Sequence, residues 1–228
     1  MYIDGNWEMV GNTQIDLSDY ATLNDVSIYA TISSVDASLA TKADVYEIVT
    51  SAEIEDLFFY VNSNEIYYTS YQNRVVSPSN TEGLPAIVSN TNVNGKGKIE
   101  FASDITSLPE FMFEDKPIQT ITLPETVTTL RQGAFKSTSL KSFICPENVT
   151  VIPVGLFQDT TSLAYVELHS GITSIGNFAF SVSQYGKLTS ITYKGTMAQW
   201  NAITKDSYWK QGATKLTVVH CSDGDVNL

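Results

Sequence analysis

The chain is poor in the residues that most often carry chemistry. Its 228 residues include two histidines and two cysteines, and 13 basic residues stand against 25 acidic ones. Neither His169 nor His220 lies at ligand spacing from a cysteine or from the other histidine. His220 and Cys221, as neighbours on an extended segment, point to opposite sides. A zinc site is therefore not expected, and a serine or cysteine triad lacks its base. The formal net charge of −12 makes the surface repel phosphate backbones and anionic lipid, so neither nucleic acid nor a membrane is expected as a partner. No stretch approaches the roughly 20 apolar residues of a spanning helix, so membrane insertion is not expected. The start, Met1 to Trp7, has neither the basic residues nor the apolar run of a signal peptide. Cys145 and Cys221 lie far apart, and Cys145 falls where a small buried hydrophobe fits. Two free buried thiols are expected, with a disulfide left open.

Other motifs are absent or weak. Gly95 and Gly97 are not followed by the Gly-Lys-Ser/Thr of a phosphate loop. Asn148-Val149-Thr150 matches a glycosylation sequon but is part of a recurring Val-Thr. Glu110, Glu114 and Asp115 cluster as a glycosidase pair would, and read more simply as a solvated edge. No cofactor and no catalytic residue is expected.

What is present is a repeat. Apolar triplets recur as Ile99-Glu100-Phe101, Ile121-Thr122-Leu123, Phe143-Ile144-Cys145 and Val166-Glu167-Leu168. Each is followed by a β-branched pair beginning at Ile105, Val127, Val149 or Ile172. An aliphatic comes next (Leu108, Leu130, Ile152, Ile175), then a phenylalanine (Phe113, Phe135, Phe157, Phe180). The steps are 22, 22 and 23 in all four series. Such in-phase recurrence means stacked units, because one unit alone cannot bury its apolar face. Alternation turns Ile121 and Leu123 inward and Thr122 outward. Pro124 and Pro146 end their strands, since proline cannot donate to the next rung.

Ile121-Thr122-Leu123-Pro124-Glu125-Thr126-Val127-Thr128-Thr129-Leu130, continuing to Gly133-Ala134-Phe135, resembles the BspA-type leucine-rich repeat, "LxxIxIPxSVTxIGxxAFxxC". So does Gly171 to Phe180, although Ser137, Asp159 and Ser181 stand near the usual cysteine. The resemblance runs from about Glu65 to the C-terminus. It implies a leucine-rich-repeat solenoid, and binding in place of catalysis, since bacterial proteins with this repeat are adhesins. End repeats need caps. Ile66 to Val93 supplies two strands and a turn at one end, and Asn94 to Gly97 turns into the first repeat. At the other end stand a last strand at Leu188–Tyr193, a helix opened by a Thr196/Gln199 capping box, and a closing strand at Leu216–Cys221. Trp200 and Ile203 are placed to plug the final repeat, and this "GTxAQW" ending also resembles the BspA-type close.

The first 60 residues follow a different rule. Units begin at Ala21-Thr22, Ala30-Thr31 and Ala40-Thr41, each Thr three residues before Asp25, Ser34 or Asp44. Thr followed by an acid at that spacing caps a helix start. Ile28, Ile32, Val35 and Leu39 repeat at 4-3-4, a short coiled-coil seam that Val45 is read as extending. So thin a stripe cannot hold a lone helix folded, so copies around an axis are expected. Tyr20-Ala21-Thr22, Tyr29-Ala30-Thr31 and Leu39-Ala40-Thr41-Lys42-Ala43-Asp44-Val45 resemble the "YxTKxEVD" stalk segments of phage fibres, which implies a parallel homotrimer attached to a virion. Leu23 and Ile32 replace the usual lysine. Trp7, Met9, Val10 and Ile15, ahead of the stalk, are candidates for a virion anchor.

The fold expected is mixed and β-rich: a short helical, coiled-coil trimeric stalk followed by a capped BspA-type solenoid. Its parts are an anchor at 1–17, a stalk at 18–60, an N-terminal cap at 61–98, repeats at 99–187 and a C-terminal cap at 188–228. The first functional reading is a non-enzymatic virion fibre whose repeat head meets a host surface or decorates a capsid or tail. Its partners would be itself, another virion protein, and a host glycan or protein. The alternative is a bacterial surface adhesin or interaction module, and a third, weaker reading is a polysaccharide depolymerase. Tyr67, Tyr68, Tyr71, Tyr208 and Trp209 are the aromatic candidates for stacking on sugars.

Overall fold

Residues 61–182 and 185–228 are described in this computed structural model, with the backbone of 2–3 and 6–7. Two units divide the chain, residues 1–59 and 60–228. In the first, β1 (Tyr2–Ile3) pairs antiparallel with β2 (Asn6–Trp7). The seam residues Ile28, Ile32, Val35, Leu39 and Val45, the anchor residues Met9, Val10 and Ile15, and the Trp7 side chain lie outside the described residues.

The second unit is a β-rich solenoid of about five turns. Each repeat wraps once around a shared core through three faces. The first face is the main sheet. β9 (Ser142–Ile144), β11 (Tyr165–Leu168), β13 (Ser190–Tyr193) and β15 (Val218–Cys221) run parallel, and β16 (Gly224–Asn227) closes the edge antiparallel. The second face is made of two-residue parallel strands. β6 (Ser107–Leu108) pairs with β8 (Thr129–Leu130), and β10 (Val151–Ile152), β12 (Ser174–Ile175) and β14 (Thr204–Lys205) form a second ribbon.

The third face has no strands, yet its backbone is continuously bonded. The N–H groups of Phe113, Phe135, Phe157 and Phe180 donate to the carbonyls of Ala134, Leu156, Ala179 and Trp209 on the next turn, at 2.9–3.1 Å. The recurring bend there needs a left-handed residue: Phe111, Gly133, Gly155 and Phe178 all have φ between +54° and +62°. Glycine adopts it freely, whereas the two phenylalanines are strained. A Cβ on Gly133 would lie 2.5 Å from the Phe111 ring.

Inside, the phenylalanines stack. Ring centroids are 6.0 Å apart for Phe113 and Phe135, 5.9 Å for Phe135 and Phe157, and 5.6 Å for Phe157 and Phe180. All four side chains are fully buried, as are Ala134 and Ala179. Ile99, Phe101, Phe143, Val166 and Leu168 point into the same core. β7 (Ile118–Thr122) and β9 stop two residues before Pro124 and Pro146.

One expectation needs correction. The triplet Ile99–Phe101 keeps the period, but its strand does not lie beside the next triplet. β5 (Lys96–Phe101) and β7 are separated by β3 (Glu65–Ser70), antiparallel to both, in a sheet whose outer strand beyond β5 is β4 (Ile87–Val93). Periodicity reports which side chains point inward, not which strand lies alongside. β3 buries Ile66 and Tyr68 on the core side, and Tyr68 faces Gly97 across the ladder. Any side chain at Gly97 would meet the Tyr68 ring. β4 (Ile87–Val93) joins β5 through Asn94-Gly95, both at positive φ, the two-residue turn that suits strand twist.

At the far end α1 (Met197–Ala202) carries the expected Thr196/Gln199 capping box. Trp200 is 1% exposed, its ring 5.4 Å from Tyr193 and 6.1 Å from Trp209. β14 and β16 are additions that local patterning did not announce.

Candidate binding face

The main sheet buries one face and presents the other. Its register places Ile144, Glu167, Thr192, His220 and Asp225 in one row across five strands. Two residues back, Ser142 pairs with Tyr165 and Ser190 pairs with Val218. Ile144 is 65% exposed and Tyr165 40%. An outward position in a repeat is normally polar, so these two residues stand out.

Tyr165 is held in place. Its hydroxyl donates to Glu167 Oε2 at 2.6 Å, and Lys194 Nζ lies 3.0 Å from the same carboxylate oxygen. The Tyr165 hydroxyl, helped by Lys194, holds the Glu167 carboxyl below its ordinary range against the opposing effect of burial. The same bond pushes the Tyr165 hydroxyl up, and Glu167 raises Lys194. The trio is thus one anion, one cation and one neutral phenol, with no net charge. At the end of the Glu167 row, His220 Nδ1 is 2.9 Å from Asp225 Oδ1. The trio makes a self-neutralised platform on an otherwise acidic chain. A fixed tyrosine beside an exposed aliphatic offers contact area at little cost in side-chain ordering.

The five aromatic candidates do not form a site. Tyr68 is 3% exposed: its hydroxyl accepts from the Val76 N–H and donates to Asn90. Trp209 is 9% exposed and extends the aromatic ladder, 5.9 Å edge-on from Phe180. Both readings as sugar platforms are corrected, because core packing has taken the rings. Tyr67 is half-buried and donates to Glu65 at 2.8 Å, and with burial this raises its hydroxyl to about 12. Tyr71 and Tyr208 remain exposed, at opposite ends of the repeat stack. Tyr208 lies flat on Phe178, 6.0 Å away, and lines a cleft of about 320 Å³ with Ser207, Lys210 and Gln211. Tyr165 was missed because its neighbour Val166 claims the repeat signal. The isoleucine at an outward position in Phe143-Ile144-Cys145 was the available clue.

Several other titratable groups have structural duties. Glu114 pairs with Lys136 on the next turn at 2.7 Å, so the acidic cluster ties turns together. His169 is buried, its Nε2 2.7 Å from the Val149 carbonyl and its Nδ1 accepting the Gly171 N–H. Cys145 and Cys221 are free; burial pushes the Cys145 thiol up to about 12. Among the described residues no three His, Cys, Asp or Glu side chains converge as a metal site.

The family model for the BspA type Leucine rich repeat region matches residues 89–207 in six copies, just over half of the chain. The chain belongs to the BspA-type leucine-rich-repeat family. Among solved structures, it is similar to a leucine rich cell surface protein from Faecalibacterium prausnitzii A2-165. The two are 24% identical with a TM-score of 0.38, over 47% of this chain and 34% of that one. The chain thus matches about a third of that protein's length. No curated protein matches the chain. For a BspA-type repeat domain the platform around Tyr165 lies on the sheet that the repeats themselves build.

Proposed function

We propose that this BspA-type domain is a non-enzymatic interaction module of the adhesin kind, and that it engages a surface glycan or protein with the outward face of its main sheet. The observation that carries this is Tyr165, exposed yet fixed by Glu167 and Lys194 beside the exposed Ile144. Solenoid sheets offer broad, rigid faces of this kind. The test is binding of the full chain to arrays of immobilised glycans and matrix proteins. Tyr165→Ala and Ile144→Ser should each weaken any interaction at least tenfold, and undiminished binding by both would overturn the proposal.

A second reading rests on a separate observation. The Ala-Thr segments at Ala21-Thr22, Ala30-Thr31 and Ala40-Thr41 resemble trimeric phage-fibre stalks. On this reading the same domain is the head of a virion fibre, anchored through Trp7, Met9, Val10 and Ile15. Light scattering of the full chain tests it: a mass near three times 25.1 kDa supports the fibre, and a monomer at all concentrations removes it.

A further inference from the structure

The strand β4 is a long, uncharged sheet edge. It is the longest strand described, Ile87–Val93, and has a hydrogen-bonded neighbour, β5, on one side only among the described residues. Its two-residue turn makes Val93 and Lys96 the closing hydrogen-bonded pair, and alternation then turns Thr91 and Ser89 toward β5. The backbone N–H and C=O groups of Asn90 and Asn92 therefore point outward. Exposed edges are normally blunted by short length, charge or proline. β6 and β14 have two residues each, and β16 carries Asp225. From Ser89 to Val93, past a register shift between Ile87 and Ser89, β4 has none of these devices: residues 83–95 contain no charged side chain in a chain of net charge −12. Val88 and Val93 are 63% and 64% exposed, and Ile87 is 37%.

We infer that β4 is an interface with a second copy of this chain, formed by antiparallel addition of β4 to β4. An open edge accepts an extended strand, because its free backbone groups fix the partner's chemistry. Two copies of so acidic a protein repel, and a charge-free strand is where they can approach. The regular stretch Ser89-Asn90-Thr91 is also self-complementary about Asn90. A two-fold axis there sets Asn90 against Asn90 and Ser89 against Thr91, within the stretch whose register with β5 is regular. The contact is isologous and closes at two copies, joining two four-stranded sheets into one of eight.

The test uses the full chain with Thr91→Glu and, in a Cys221→Ser background, Ser89→Cys and Thr91→Cys. The carboxylate introduced by Thr91→Glu would lie opposite Lys98 within its own chain, so the fold tolerates it, but two copies would bring like charges together across the axis. In sedimentation, the wild-type mass should rise with concentration by a factor of two, and Thr91→Glu should abolish that doubling. Because residues 1–60 are unaltered, association through them would persist in both proteins. Opposed Cα atoms in a non-hydrogen-bonded pair lie about 4.5 Å apart, within disulfide reach. A mixture of the Ser89→Cys and Thr91→Cys proteins should therefore cross-link on oxidation far more than either alone. Identical masses for wild type and Thr91→Glu, or equal cross-linking of the mixture and the single variants, would overturn the inference.

Discussion

Replacing Phe135 with alanine probes the repeat core at its centre. The ring is fully buried, stacked between Phe113 and Phe157, and 5.6 Å from Phe143. Removing it forfeits about 2–3 kcal/mol of apolar transfer. An unrelaxed cavity of about 80 Å³ adds about 2 kcal/mol at 24 cal/mol per Å³. Turns above and below are pinned by backbone bonds, including Phe113 N–H to Ala134 and Phe135 N–H to Leu156, so little collapse is available. The expected loss is about 3–5 kcal/mol, a large fraction of a domain's stability. Phe113 has one stacked ring neighbour in the ladder where Phe135 has two, so Phe113→Ala should cost about 1 kcal/mol less. Urea unfolding followed by the fluorescence of Trp200 and Trp209 measures both. A loss below about 1.5 kcal/mol for Phe135→Ala, or an equal loss for Phe113→Ala, would refute the ladder as the source of cohesion.

Four further outcomes are expected. Gly133→Ala should destabilise more than Gly155→Ala: both have positive φ, but only Gly133 faces a ring, at 2.5 Å, where Gly155 faces the flexible Gln158 at 3.2 Å. Thermal melts of the two variants compare them directly. Thr160→Val removes the fully buried hydroxyl that donates to the Phe135 carbonyl at 2.8 Å, and should cost about 0.5–1.5 kcal/mol in urea titration. Burial would raise the Glu65 carboxyl, but hydrogen bonds from Lys98, Tyr67 and Asn62 outweigh it and hold the group below its ordinary 4.5. Its stabilisation is therefore complete above pH 4.5 and lost as pH falls through the lowered folded value, and Glu65→Gln should flatten that acid limb of the stability curve. A thiol reagent should label Cys221 in the native protein and Cys145 only after unfolding, read as one and then two equivalents by mass spectrometry.

The repeats were legible because inward burial leaves a periodic trace. Ile121-Thr122-Leu123, Pro124 and Ala134-Phe135 each do locally what their types dictate. The C-terminal cap was legible for the same reason: Thr196 and Gln199 form a contact three residues apart. Three things were not legible. The insertion of β3 between β5 and β7 is a long-range pairing that leaves no local period. Trp209 reads as an exposed aromatic in Tyr208-Trp209-Lys210, yet its neighbour above is Phe180, 29 positions earlier. The platform around Tyr165 depends on cross-strand neighbours, because Glu167 meets Ile144 and Lys194 only after the turns have stacked.

The proposed binding face is tested most directly by hydrogen exchange of the full chain, alone and saturated with whichever array component it binds. New protection concentrated at Ser142–Ile144, Tyr165–Leu168 and Ser190–Tyr193 is the predicted footprint. Protection confined to the ends of the stack, around Tyr71 or Tyr208, with the main-sheet strands unchanged, would contradict it.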